Sequence, residues 1–170
     1  MTYDYDALYG TTPAALGDPS QVFVDFFAGL DAQRRRVLDI GCGQGRDALF
    51  IGRLGHEMVG VDLSPNGIRD LTAAAHDEGL AITALVADIR SHEPDGLFDI
   101  VLIDRTLHML SEPDRLDVLS RLLDHVAPGG HCLIADEGAN LRRFAKVAEA
   151  HRLAWEKVAS PKGCLFLRRG

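Results

Sequence analysis

The residues in this chain best placed to do chemistry are acids and glycines set at the ends of apolar runs. Asp39 precedes Gly41, Gly43 and Gly45 in Val37-Leu38-Asp39-Ile40-Gly41-Cys42-Gly43-Gln44-Gly45, and Asp62 closes the next run, Met58-Val59-Gly60-Val61. Glycines take backbone angles that side chains forbid and let a ligand approach the main chain closely. A carboxylate at the carboxyl end of a strand, as at Asp62, accepts two hydrogen bonds and suits a ribose diol. Asp39 either braces the loop or receives a ligand ammonium. Asp88-Ile89 ends a third apolar run, offering an acceptor for an exocyclic amine and an apolar contact for its ring; the alternative is a turn residue capping a loop. A fourth run leads to Asp104-Arg105-Thr106-Leu107-His108, where Arg105 suits an anionic substrate and His108 a base. For His108 the capping or packing role at a helix start is the stronger reading, the base its alternative. Tyr3 and Tyr9, near the amino terminus, are candidate lid contacts over a pocket.

These residues depend on elements that present them together. The run from Arg36 to Pro65 reads as strand, glycine loop, helix from Arg46, strand and acid, which is half of a nucleotide-binding βαβ unit. Residues 1–17 lack a clean period and read as an irregular arm. Asp18 and Pro19 start a helix over residues 18–30, with Val22, Phe23, Phe26, Phe27 and Leu30 on one face. Ser64 and Pro65 open another helix, which Gly79 ends, and Ile82 to Ala87 forms a third strand. Residues 90–97 are too short and too rich in Pro and Gly for a crossover helix. A fourth strand spans Phe98 to Ile103. The helix opened by Ser111 runs along Leu116, Leu119, Leu122, Leu123 and Val126 to Ala127-Pro128-Gly129-Gly130. Cys132 to Ala135 is a fifth strand, Leu141 to His151 a short basic helix, and Ala154–Ala159 with Cys164–Leu167 a hairpin. The pattern predicts an α/β fold whose doubly wound, mostly parallel sheet carries one antiparallel strand.

Composition narrows the function classes. With 170 residues, the chain reads as one domain with a sizeable core, and 46% apolar with 25% charged residues is ordinary for a soluble protein. The net charge of −7 argues against a nucleic-acid partner. It is unevenly spread, because residues 139–170 carry eight basic against two acidic side chains. A basic tail packed on an acidic body explains this, the alternative being a local anion or partner site. No apolar run reaches a membrane span, and the acidic amino terminus is unlike a signal peptide. Cys42, Cys132 and Cys164, odd in number and without metal-ligand spacing, read as reduced thiols of a cytoplasmic protein.

Spacing separates two ligand classes. In a dinucleotide fingerprint, G-x-G-x-x-G, the third glycine would fall at Arg46, whereas this loop is G-x-G-x-G with an acid two residues before it. That pattern resembles the first motif of the class I S-adenosylmethionine-dependent methyltransferases. Asp62, Asp88-Ile89, the Phe98-Asp99 strand and Val126-Ala127-Pro128-Gly129-Gly130 resemble the later motifs, in order and across nearly the whole chain. Gly41 to Asp47 with Gly55-His56 and Leu63-Ser64-Pro65 is similar to the small tellurite-resistance and thiol methyltransferase-like group. The resemblance implies a Rossmann-like sheet of seven strands. It implies that Asp39, Gly41, Gly43 and Gly45 hold the methionine part of S-adenosylmethionine, with Cys42 and Arg46 beside them and Tyr9 over the mouth. Asp62 with Leu63 would take the ribose, Asp88 with Ile89 the adenine, and Asp104 with Arg105 would lie beside the sulfonium methyl.

The expected reaction is in-line displacement of the methyl group by a small-molecule acceptor, with Arg105 and His108 as catalytic candidates. One alternative is a module that binds the nucleoside without turnover. Another is metal-assisted O-methylation, with Asp104, Asp136 and Glu137 or Asn140 as hard oxygen ligands for magnesium; the favoured site contains no metal. The missing Asn-Pro-Pro-aromatic motif and paired-glutamate loop argue against DNA, glutamine and arginine methylation. The chain is expected to be a monomer or homodimer.

Overall fold

Aliphatic runs become strands here because helices shield them, and the strands deliver their acids to one edge. The computed structural model describes residues 3–158 and 160–170, which fall into two compact units, residues 1–89 and 90–170. The first contains helices α1 (Tyr5–Thr11), α2 (Gln21–Ala28), α3 (Arg46–Arg53) and α4 (Pro65–Asp77), with strands β1 (Arg36–Ile40), β2 (Glu57–Asp62) and β3 (Ile82–Val86). Its strands lie in the order β3-β2-β1 and all pair parallel. The register sets Asp39 opposite Gly60 and Asp62 opposite Val86. Val37, Leu38, Ile40, Met58 and Val61 are buried, each stabilising the fold by about 1.5–3 kcal/mol.

The second unit contains β4 (Phe98–Asp104), a single 3-10 turn at Leu107–Met109, α5 (Glu112–Asp124), β5 (Val126–Ala135), α6 (Gly138–Ala150), β6 (Trp155–Lys157) and β7 (Cys164–Arg169). Its order is β4-β5-β7-β6, with β4 and β5 parallel and β7 antiparallel to both neighbours. The seven strands thus make the mostly parallel, Rossmann-like sheet expected from the sequence, with β7 as its antiparallel strand. No helix among the described residues is long and apolar enough to cross a membrane.

Several boundaries differ from the sequence expectation. The arm is not wholly irregular: residues 5–11 are helical, capped where the Asp4 carboxylate accepts the Ala7 N–H at 3.0 Å. The second helix begins at Gln21 and not beside Pro19, because the Ser20 N–H is held by the Asp47 carboxylate at 3.1 Å. The long α5 stops at Asp124, and Val126 already pairs with Phe98 in β5. Ala127-Pro128-Gly129-Gly130 is therefore strand and not helix end. A register shift between Phe98 and Ile100 absorbs it, and a Cβ on Gly130 would sit 2.7 Å from the Asp99 carbonyl. Helix α6 starts at Gly138, before the expected Leu141, because the Glu137 carbonyl already accepts the Leu141 N–H. The hairpin forms with a shorter first arm, Trp155–Lys157, and a longer second one, Cys164–Arg169; Ala159, like Met1 and Thr2, lies outside the described residues.

Candidate functional site

The glycine loop is stitched to the end of β2. The Val61 carbonyl accepts from the N–H groups of Gly41 and Cys42 at 2.8 and 3.2 Å, and the Cys42 carbonyl accepts from Gly45 at 2.8 Å. Gly41, Gly43 and Gly45 take φ of 79°, 52° and 88°, in the left-handed region that side chains avoid. Asp62 organises the loop: Oδ2 accepts the Gly43 N–H and Oδ1 the Ser64 N–H, each at 2.8 Å. One carboxylate thereby fixes both the loop and the entry to α4, whose Ser64 hydroxyl caps the Gly67 N–H at 2.9 Å. Each oxygen retains acceptor capacity for a ligand hydroxyl.

Tyr9, from α1, lies directly on this loop. It is buried, and a Cβ on Gly43 would come within 2.6 Å of the phenolic oxygen. Burial and the nearby Asp62 push its phenol well above the usual range, so it stays protonated. Burial, then the carboxylates of Asp39 and Asp62, likewise push the Cys42 thiol up. Asp39 is buried in β1, whereas Leu63 is 67% exposed beside Asp62. Asp88 and Ile89 follow β3 and are half-buried. The Arg46 guanidinium is turned onto Asp47 at 2.7 Å. The loop thus presents carboxylates and main-chain N–H groups, while its one cation is engaged by a neighbouring acid. This donor set fits a ligand carrying an ammonium and a diol, and does not favour a diphosphate.

Two residues that sequence reasoning missed fasten α1 in place. Asp6 accepts from the Ser64 hydroxyl at 2.5 Å, the Asn66 N–H at 3.0 Å and the Asn66 amide at 3.0 Å. Those bonds hold its carboxyl below the usual carboxylate range. Gln44, inside the loop, accepts the Ala15 N–H at 2.9 Å and donates to Asp70 at 2.8 Å and the Thr12 carbonyl at 3.0 Å. A short-range signal existed for the helix, Asp4 three residues before Ala7. The partners of Asp6 lie some sixty residues away, beyond any local pattern. Tyr3 is 62% exposed and stacks edge-on with Tyr5, with ring centroids 4.8 Å apart.

In the second unit, Asp104 ends β4 and its carbonyl accepts the Thr106 hydroxyl at 3.1 Å. Arg105 bonds through its N–H to the Ala135 carbonyl at 2.9 Å and takes φ of 50°. A side-chain-bearing residue there is strained by about 1–2 kcal/mol, and such strain concentrates at functional positions. His108 lies in the 3-10 turn with its side chain 32% exposed, its Nδ1 4.0 Å from Oδ2 of the fully buried Asp136. Asn140 donates to Asp136 Oδ1 at 2.8 Å and accepts from Arg115 at 2.7 Å. Among the described residues, no group of three His, Cys, Asp or Glu is arranged to hold a metal ion. The Asn140 oxygen, one of the magnesium ligands considered, is already occupied by a guanidinium.

With this geometry in hand, comparison with known proteins gives consistent matches. Residues 37–130 match the family described as a methyltransferase domain. The chain is 27% identical over 143 residues to a ubiquinone biosynthesis O-methyltransferase of Cupriavidus pinatubonensis, covering 83% of this chain and 54% of the relative. It is 28% identical over 99 residues to a probable S-adenosyl-L-methionine-dependent methyltransferase, TehB, of Haemophilus influenzae, covering 58% and 35%. The structure of N-methyltransferase NodS from Bradyrhizobium japonicum, in complex with S-adenosyl-L-homocysteine, aligns with a TM-score of 0.72 at 19% identity. That alignment covers 99% of this chain and 97% of the other, and shows a shared fold. The chain spans about half or less of the length of the two curated relatives.

Proposed function

The chain belongs to the methyltransferase-domain family, and on that footing we propose that it transfers a methyl group from S-adenosylmethionine to a small-molecule acceptor. The observation that carries this reading is the pairing of the Gly41–Gly45 loop with Asp62, whose carboxylate is held at 2.8 Å by main-chain donors on either side. Asp39 and the loop N–H groups take the amino-acid end of the cofactor, Asp62 the ribose, and Asp88 with Ile89 the adenine. Cys42, Arg46, Leu63 and Tyr9 complete this set. When bound, the cofactor supplies a methyl group already activated on a sulfonium.

The protein's own contribution is then positioning, since an aligned nucleophile close to an activated carbon needs little further help. Arg105 and His108 are assigned to the acceptor, and Asp104 to the cofactor's methyl end. The kinship with O-methyltransferase and TehB relatives favours a small acceptor. The proposed organisation is one catalytic domain with residues 1–17 as its arm, working in the cytoplasm as a monomer or homodimer, without nucleic-acid or membrane partners.

Calorimetry with S-adenosylhomocysteine tests the reading directly, and micromolar binding is expected. A screen for product release over thiols, chalcogen oxyanions, phenols and amines then identifies the acceptor. Absence of binding overturns the proposal. Binding without turnover on any acceptor favours the non-catalytic module.

A further inference from the structure

Asp136 is an unusual carboxylate. It follows β5, its side chain is fully buried, and its two oxygens are treated differently. Oδ1 accepts from the Glu137 N–H at 2.7 Å and the Asn140 amide at 2.8 Å. Oδ2 is buried and has no hydrogen-bond partner among the described residues. A buried carboxylate oxygen without a donor is unfavourable, so a fold keeps one chiefly where a donor arrives or a task requires it. The His108 imidazole lies nearby, with Nδ1 4.0 Å away, just beyond hydrogen-bond distance.

The surroundings hold both partners in place. Arg115 of α5 donates to the Leu110 carbonyl from Nε at 3.2 Å and Nη2 at 2.5 Å, and reaches the His108 carbonyl at 3.4 Å. Its other amine bonds Asn140 at 2.7 Å. One guanidinium thus ties the turn bearing His108 to the amide that orients Asp136. Among the described residues, Asp136 approaches the imidazole and Arg115 holds the turn that carries it. Arg115 is committed to carbonyls and an amide, which leaves Oδ2 to the ring.

Building on the methyltransferase reading, we propose that Asp136 is the positioning residue of a His108 general base, and that the acceptor is a hydroxyl or thiol with a proton to lose. Asp136 Oδ2 accepts the Nδ1–H, which fixes the tautomer and leaves Nε2 bare on the exposed side of the ring. The acceptor's O–H or S–H bond breaks and its proton passes to Nε2. The electron pair left on oxygen or sulfur forms the bond to the methyl carbon, as the pair of the carbon–sulfonium bond leaves with sulfur. The positive charge lost from the sulfonium reappears on the imidazolium, and Asp136 stabilises it there. Carboxylate acceptors, already ionised at neutral pH, gain nothing from such a base.

Nitrogen-15 NMR of the imidazoles in the free protein, with the His108 signal identified by H108Q, tests the pairing without any acceptor. The neutral wild-type ring is expected to show the Nδ1–H tautomer, and D136N, which turns an amide toward the ring, to shift it to Nε2–H. Nε2–H or mixed tautomers in the wild-type protein overturn the proposal, and that spectrum decides even if D136N fails to fold. Turnover is then measured with catechol and 2-mercaptoethanol as probes, both protonated at neutral pH. H108Q and D136N should each lower kcat about a hundredfold with KM changed only a few-fold. D136N should also displace the acidic limb of the pH profile, where the base is lost to protonation, which a merely structural role would leave in place. Unchanged kcat in both variants overturns the base, whereas loss of S-adenosylhomocysteine binding by the wild-type protein overturns the methyltransferase reading and leaves the tautomer result intact.

Discussion

Asp62 braces the backbone in the structure and is proposed for a second job at the ligand, and substitution tests both. It holds the glycine loop and α4 through two main-chain N–H groups, and it is assigned to the ribose. Asp62→Ala is expected to weaken S-adenosylhomocysteine binding at least a hundredfold by calorimetry and to destabilise the fold by about 1–3 kcal/mol, since two donors lose their acceptor. Affinity unchanged in that variant removes Asp62 from the site. Arg105 presents the opposite case, a residue whose backbone angle, φ of 50°, is unfavourable for its side chain. Arg105→Gly relieves that strain at some cost in chain entropy, so stability should stay level or rise by about 0.5–1 kcal/mol in urea titration. Turnover should fall while cofactor affinity holds. A variant that is less stable and fully active would make the strain a structural accident. At this scale the sequence was informative where structure is local: the left-handed loop glycines and the acid that closes β2 were legible from spacing alone. Asp136 was noticed only as one of several acids at strand ends. Its relation to His108 depends on two strand ends and a turn meeting in space, which no linear spacing encodes.

Among the elements, α1 shows most plainly what tertiary contact adds. Its seven residues are too few for a stable isolated helix, so its existence rests on the Asp4 cap, the buried Tyr9 and the Asp6 bonds to the start of α4. Asp6→Ala should raise amide exchange across residues 4–12 by at least tenfold in hydrogen–deuterium mass spectrometry, with β1 and β2 unaffected. The same loosening should follow from acid. The Asp6 carboxyl is depressed in the folded chain, so its contribution is complete above the ordinary carboxylate range and is lost as pH falls through the lower folded value. Elements with strong internal signals were legible beforehand. Ser64-Pro65 and Gly79 bracketed α4, and Gly79 does take a positive φ, of 64°. The misplaced ends at Gln21 and Val126 share a cause, because each was decided by a hydrogen bond or strand partner outside the local window.

For the chain as a whole, charge and pH response follow from the same placements. The basic carboxyl-terminal segment packs partly onto acids of α5, with Arg143 on Glu112 at 2.6 Å and Arg152 on Asp124 at 2.8 Å. Such exposed pairs add little stability and weaken with salt. Buried thiols matter more in alkali. Burial pushes Cys132 up to about 12 and raises Cys42 as well, so both remain protonated when folded. Unfolded thiols ionise near pH 8.5, and stability should therefore be full below that point and fall by about 1.4 kcal/mol per pH unit for each thiol above it. Urea titrations at pH 8 and pH 10 check this, and the combined Cys42→Ala and Cys132→Ala variant should flatten the fall. Asp62 has a consequence at this scale too. Because its oxygens are fixed by the backbone, the acceptor is aimed during folding and not during recognition. On the proposed ribose assignment, a sugar arriving there adds to an arrangement that already exists, so heating should erode nucleoside affinity gradually and then abolish it together with cooperative melting, with no separate loosening of the pocket beforehand.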